Sequence, residues 1–188
     1  MRPAVFLDRD GVLVETALSS DGVPQPPSQA DGADLVDDAA DATARLRDAG
    51  FALVVVTNQP DVARGITTRE RVEGINELVR DRLQLDAVYA CFHDGDGCAC
   101  RKPKAGMLRA AGLEMDLDLA ASWLVGDRWV DIAAAAAGGV RSVLLERPYS
   151  WRRAGGAEPP PGLAPDATTA TFAEAAALIA GTVSRSRG

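Results

Sequence analysis

Along the chain, short runs of apolar and β-branched residues alternate with longer segments whose apolar positions recur every three or four residues. Ala4-Val5-Phe6-Leu7 reads as a short buried strand that ends at Asp8. Residues 36–49 have helical composition and stop at Gly50, a residue suited to a helix C-terminus. Phe51 to Val56 reads as a second buried strand, running straight into Thr57-Asn58-Gln59-Pro60. Thr67-Thr68-Arg69-Glu70 has the capping-box form. The helix it opens reaches about Leu83, with Val72, Ile75, Leu78, Val79 and Leu83 on one face. Asp86 to Cys91 is a third strand, residues 105–115 a helix, and Ser122 to Val125 a fourth strand that ends at Gly126-Asp127. An Ala-rich helix over 130–137 closes at Gly138-Gly139, and Val140 to Leu145 is a fifth strand. Strands that alternate with helices predict an α/β fold, a parallel sheet with helices on both faces.

Two segments lack this pattern. Residues 19–34 are rich in Gly, Pro and polar side chains and too long for a plain connector, so they read as a substrate-side loop or a mobile one. Residues 148–170, with Pro159-Pro160-Pro161-Gly162, read as a surface wrap before a last helix near 172–180 and a frayed tail. The 188 residues correspond to one domain over 1–188, its core at about 2–147 and a C-terminal extension over 148–188.

Composition narrows the function classes. With 20 Lys and Arg against 27 Asp and Glu, a net charge of −7 argues against a nucleic-acid partner. No apolar run approaches the ~20 residues of a membrane span. A carboxylate as early as Asp8 leaves no room for a secretory apolar segment, so a cytoplasmic monomer is the expectation.

Ligands of open α/β sheets bind at the carboxyl ends of the strands. Three predicted strand ends deliver Asp8 and Asp10, Thr57 and Asn58, and Asp127 to one rim. Clustered carboxylates repel one another and need a cation, and hard oxygen donors suit Mg²⁺. A carboxylate held on Mg²⁺ can attack phosphorus to form an aspartyl phosphate, and a second one two residues on can serve as acid and then base.

With these residues in place, the chain resembles the haloacid dehalogenase-like (HAD) phosphatases. VFLDRDGVL is similar to their first motif, VVVTNQ to the second, Arg101-Lys102-Pro103 to the third and LVGDRWVD to the fourth. The resemblance implies a single Rossmann-like domain without a separate lid. It also implies Asp8 as nucleophile and Mg²⁺ ligand, and Asp10 as acid/base with its carbonyl on the metal. Thr57 and Asn58 would bind phosphate, Lys102 would clamp it, Asp127 would complete the protein ligands of Mg²⁺, and Asp131 would support them from behind.

Cys91-Phe92-His93, four residues, then Cys98-Ala99-Cys100 places the one His among all three Cys of the chain. Such a set fits a tetrahedral Cys₃His zinc site, and with no position left for water the zinc of the 91–100 loop is expected to be structural. This cluster resembles the zinc-bearing branch of the family, which includes D-glycero-D-manno-heptose 1,7-bisphosphate 7-phosphatases and histidinol-phosphate phosphatases. There the basic residues beside the third and fourth motifs contact the rest of the substrate, which points to Arg101 and Arg128. A small sugar phosphate is the expected substrate. Pro60-Asp61, Phe92 and Asp94 depart from the family pattern, and the four-residue zinc loop is nearer the histidinol-phosphate type. Histidinol phosphate, a nucleic-acid 3′-phosphate and an inactive zinc-stapled binding module remain as alternatives.

Overall fold

The computed structural model describes residues 1–25, 27, 33–154 and 156–185. Its elements run β1 (Arg2–Leu7), β2 (Ala17–Leu18), β3 (Pro24–Gln25), α1 (Ala39–Asp48), β4 (Ala52–Asn58), α2 (Arg69–Leu83) and β5 (Ala87–Cys91). They continue with α3 (Gly106–Glu114), β6 (Leu117–Gly126), α4 (Trp129–Gly138), β7 (Arg141–Leu145), β8 (Ala167–Thr169) and α5 (Phe172–Arg185).

The side-chain alternation of the strands decides what lies on each face of the sheet. Val5 and Leu7 of β1, with Leu53 and Val55 of β4, share one buried layer with Leu46 of α1, Ile75 and Val79 of α2 and Ile179 of α5. Ala4 and Phe6, with Val54 and Val56, enter a second layer with Met107 and Leu108 of α3 and Ala134 and Ala135 of α4. Because both faces are covered, the central strands are continuously apolar, as the sequence pattern predicts.

Six strands form a sheet in the order β5-β4-β1-β6-β7-β8, with every pair parallel. The chain builds outward from β1 through β4 to β5, then returns to place β6 on the other side of β1. The carboxyl ends of β1 and β6 therefore flank the point where strand order reverses, the usual ligand crevice of such sheets. Asp8 and Asp127 follow directly from those two ends, and the Asp8 N–H bonds the Val125 carbonyl at 2.9 Å.

Several expectations change. A sixth strand, β8, pairs with β7 (Val143 with Ala167, Leu145 with Thr169), so residues 148–170 do more than wrap the surface. The core does not stop near 147, because Phe172, Ala175, Ala176 and Ile179 of α5 are buried in the first layer. The last helix runs to Arg185 and β6 begins at Leu117. The cap of α2 is Thr68, whose side chain accepts from the Arg71 N–H, while the Thr67 hydroxyl is buried without a partner among the described residues. β3, inside 19–34, pairs antiparallel with β2 just before that segment to form a short ribbon. The rest of that loop at 26 and 28–32, and the tail at 186–188, lie outside the described residues. Among the described residues no helix is long and apolar enough to cross a membrane.

Candidate active site

The strand ends bring Asp8, Asp127 and Asp131 together, with carboxylate oxygens within 4.8 Å of one another. Lys102 Nζ lies between them, 2.9 Å from Asp8 Oδ1 and 2.6 Å from Asp131 Oδ1, and donates to the Val56 carbonyl at 2.8 Å. Burial works against the charge on Lys102, yet Asp131 and Asp8 outweigh it and its pKa is raised. Burial, only partly offset by Lys102, pushes Asp8 up to about 6. Burial, with Asp8 and Asp131 nearby, holds Asp127 well above the usual carboxylate range. Fully ionised, three carboxylates against one ammonium leave a surplus of two negative charges, which a divalent cation would neutralise.

The free valences fit that reading. Asp131 Oδ1 faces Lys102, and its Oδ2 accepts from the Arg128 N–H at 3.1 Å, so this fully buried side chain is occupied. Asp8 Oδ1 takes both Lys102 and the Arg9 N–H, and Asp127 Oδ2 takes the Tyr149 hydroxyl at 2.7 Å. Asp8 Oδ2 and Asp127 Oδ1 accept no hydrogen bond among the described residues. Oxygen donors of this kind suit Mg²⁺. Gly11 makes their approach possible: it has φ +82°, and a Cβ there would stand 2.1 Å from Asp127 Oδ2. No L side chain fits that space.

Asp10 stands apart from the carboxylate cluster. Its Oδ1 accepts from Arg9 Nε at 2.9 Å, and its Oδ2 accepts from Arg9 Nη2 at 3.0 Å and Gln59 Nε2 at 2.7 Å. Gln59 Nε2 also lies 3.0 Å from the buried Thr57 hydroxyl. Asn58 pairs at both ends with the Lys102 peptide: Nδ2 donates to its carbonyl at 2.9 Å, and Oδ1 accepts its N–H at 3.0 Å. The expectation of Asn58 as a phosphate ligand thus meets a side chain committed to holding the Lys102 loop.

That loop is set from its other side by the Cys/His group. Cys91 Sγ lies 3.6 Å from His93 Nδ1, 3.7 Å from Cys98 Sγ and 3.1 Å from Cys100 Sγ, and Cys100 Sγ is 3.3 Å from His93 Nδ1. A tetrahedron with Zn–S bonds of ~2.3 Å has edges of ~3.8 Å, so three thiol sulfurs and one imidazole nitrogen at these separations fit zinc. Burial pushes the Cys91 thiol up to about 12, and crowding by Cys100 and Cys98 adds to it, which a bound cation would reverse. Lys104 Nζ donates to the carbonyls of Asp96 and Cys98, and Arg101 to the His93 carbonyl at 3.0 Å. Two of the departures noted in the sequence converge on Arg64, which bonds Asp94 through Nε and Nη2 (2.9 and 2.8 Å) and Asp61 at 3.2 Å. The Gln59 N–H donates to the Cys91 carbonyl at 2.7 Å.

Residues 147–153 form a strap across the β6 end that the sequence did not announce. Tyr149 and Ser150 are buried, and Ser150 Oγ donates to the Asp127 carbonyl at 2.6 Å. Trp129 Nε1 donates to the Arg152 carbonyl, and Arg152 reaches the carbonyls of Asp21 and Gly22 beside the β2–β3 ribbon. Arg128 leans on the Arg153 carbonyl at 3.3 Å, its Nε buried without a partner among the described residues. Arg101 and Arg128 are therefore both tied to neighbouring backbone. Of the residues missed, Asn76 carried a signal, a polar position on the apolar face of α2. Tyr149 carried none.

Comparison with known proteins places the chain in a family. The haloacid dehalogenase-like hydrolase family matches residues 4–136, and a HAD-hydrolase-like family matches 99–175. The chain is 39% identical over 158 residues to a D-glycero-beta-D-manno-heptose-1,7-bisphosphate 7-phosphatase of Yersinia pestis, covering 77% of this chain and 80% of that protein. The Escherichia coli (strain K12) protein of the same name is 39% identical over 159 residues, 77% of this chain and 79% of its own. The crystal structure of a D,D-heptose 1,7-bisphosphate phosphatase from B. bronchiseptica, complexed with magnesium and phosphate, superposes with a TM-score of 0.75 at 29% identity, over 97% of this chain and 99% of that one. The match along most of the chain makes the conclusion direct: this protein belongs to the haloacid dehalogenase-like hydrolases.

Proposed function

We propose that the chain is a Mg²⁺-dependent phosphatase that removes the 7-phosphate of D-glycero-β-D-manno-heptose 1,7-bisphosphate through an aspartyl phosphate on Asp8. One observation carries the reaction class: Asp8 sits partly buried beside Lys102 and Asp127, with one oxygen free of hydrogen bonds among the described residues. The relatives named above support the substrate. The cation, held by Asp8, Asp127 and the Asp10 carbonyl, would neutralise the carboxylates and the phosphoryl oxygens.

In the first step Asp8 bonds to phosphorus as the bond from phosphorus to the sugar oxygen breaks, and Asp10 gives its proton to that departing oxygen. In the second, water bonds to phosphorus while Asp10 takes its proton, and the bond to Asp8 breaks. Inorganic phosphate leaves and both carboxyl groups return to their starting states. Lys102 and the Thr57 hydroxyl hold the transferring oxygens, while Asn58 acts through its hold on Lys102. Cys91, His93, Cys98 and Cys100 would hold a zinc ion, which would fix the loop that carries Lys102. Arg101 and Arg128 stand at the third and fourth motifs as the groups to meet the second phosphate, and each needs only to exchange a carbonyl partner for it. The 148–188 segment belongs to the same domain, since its strap supports Asp127.

A phosphate-release screen tests this reading with heptose 1,7-bisphosphate, histidinol phosphate and a 3′-phosphorylated oligonucleotide. Preference for the first is expected, with Asp8→Asn inactive and folded. Preference for either of the others, or full activity of Asp8→Asn, overturns it.

A further inference from the structure

Arg9 is an unusual residue to bury. Only 1% of it is exposed, and although its backbone N–H bonds the carboxylate of the proposed nucleophile, its guanidinium does not. Its guanidinium spends its donors elsewhere: Nε and Nη2 fork onto the two oxygens of Asp10, and Nη1 donates to Asn76 Oδ1 at 2.9 Å. Asn76 comes from the buried face of α2, between Val72 and Val79, and is itself 7% exposed. A planar guanidinium bound at three points cannot turn without losing a bond, so α2 dictates where the fork points. Gln59 fixes Asp10 from the other side.

This cradle is asymmetric in a way that matters for proton transfer. Each carboxylate oxygen offers about two acceptor positions. Oδ2 has both filled, by Arg9 Nη2 and Gln59 Nε2, whereas among the described residues Oδ1 has only one filled, by Arg9 Nε. One in-plane position remains, on Oδ1.

We propose that Arg9, set by Asn76, is the positioning residue that aims Asp10 at the leaving group and makes Oδ1 the atom that carries the transferred proton. This rests on the phosphatase reading above and assigns the acid/base step to one oxygen and one anchor. A salt bridge that merely stabilised the fold would have no reason to favour one kind of ester over another. An anchor for the acid does. A sugar alkoxide is a poor leaving group that must receive the Asp10 proton as it departs, whereas p-nitrophenolate leaves well without one.

The experiment compares kcat/KM for an alkyl phosphomonoester and for p-nitrophenyl phosphate, which reports the step up to formation of the aspartyl phosphate. Asn76→Ala is expected to lose about tenfold on the alkyl ester and to stay within about twofold on p-nitrophenyl phosphate, the second rate reporting that the variant is folded. Asn76→Asp, which keeps an acceptor for Nη1, should recover most of the loss. Arg9→Lys, which cannot fork onto both oxygens, should show the same selectivity with a larger loss, and it serves as the second variant if Asn76→Ala fails to fold. Equal losses on both esters, or no loss on either, overturn the proposal while leaving the phosphatase reading intact. A wild-type protein inactive on both esters overturns the phosphatase reading and this proposal with it.

Discussion

At the scale of single residues, the chemistry of Asp8 and the cost of placing it there are the same fact. Taking a carboxylate out of water disfavours its charged form, and here burial dominates over the help from Lys102. A folded-state pKa raised from 3.8 to about 6 stabilises the protein below the unfolded-state value, and that stability is lost as pH rises through 6. The loss is on the order of 3 kcal/mol, at ~1.4 kcal/mol per unit. In metal-free protein, Asp8→Asn should therefore gain stability relative to wild type between pH 5 and pH 7.5. Denaturant unfolding of both proteins at the two pH values checks this, and a gap that does not widen with pH contradicts it. Added Mg²⁺ should stabilise wild type selectively at the higher pH, where Asp8 is ionised to receive it.

At the scale of elements, the site is held by loops that are themselves stapled. Lys102 stands two residues beyond Cys100, and Asn58 at the end of β4 grips its peptide. Metal analysis of the purified protein is expected to give about one zinc per chain. Cys100→Ser should lower both that ratio and the phosphate-release rate. A zinc-free wild type with freely titratable thiols would remove the staple from the account.

The elements also explain what could be read beforehand. Asp8, Thr57, Lys102 and Asp127 were legible because each follows a buried apolar strand or a basic motif, and strand ends carry ligands. The strap was not, because Tyr149 and Ser150 lie in a Pro- and Arg-rich stretch with no periodicity. Their partners are the Asp127 carboxylate and carbonyl, which only the fold brings near. β8 escaped for a related reason: three residues of Ala and Thr at a sheet edge carry no buried alternation. Arg9 and Gln59 lay inside quoted motifs but read as spacers between the named groups, since a bond to Asp10 is not visible in a residue's neighbours.

At the scale of the whole molecule, the two faces of the sheet are closed by different parts of the chain. One face is completed only when α5 docks against α1, so the last helix is structural despite its distance from the chemistry. Ile179 is fully buried there, and Ile179→Asp would bury an unpaired carboxylate. Destabilisation of at least about 4 kcal/mol is expected, a fall of roughly 10 °C in Tm for a chain this size, read by thermal unfolding. A variant with wild-type Tm would show that α5 is dispensable. The net charge of −7 takes on a different meaning at this scale, because part of it is the uncompensated carboxylate group around Lys102.

The bond from the Gln59 N–H to the Cys91 carbonyl has a practical consequence for anyone assaying the protein. It joins the cysteine loop to the residue that holds Asp10, so loss of metal from either candidate site should lower the rate. A chelator would strip the labile magnesium at once and the thiolate-bound zinc slowly. Inactivation by chelation, ordinarily taken as a sign of magnesium dependence, would then report two events. Adding back magnesium early should restore full activity, whereas after long incubation it should restore only a fraction until zinc is supplied as well.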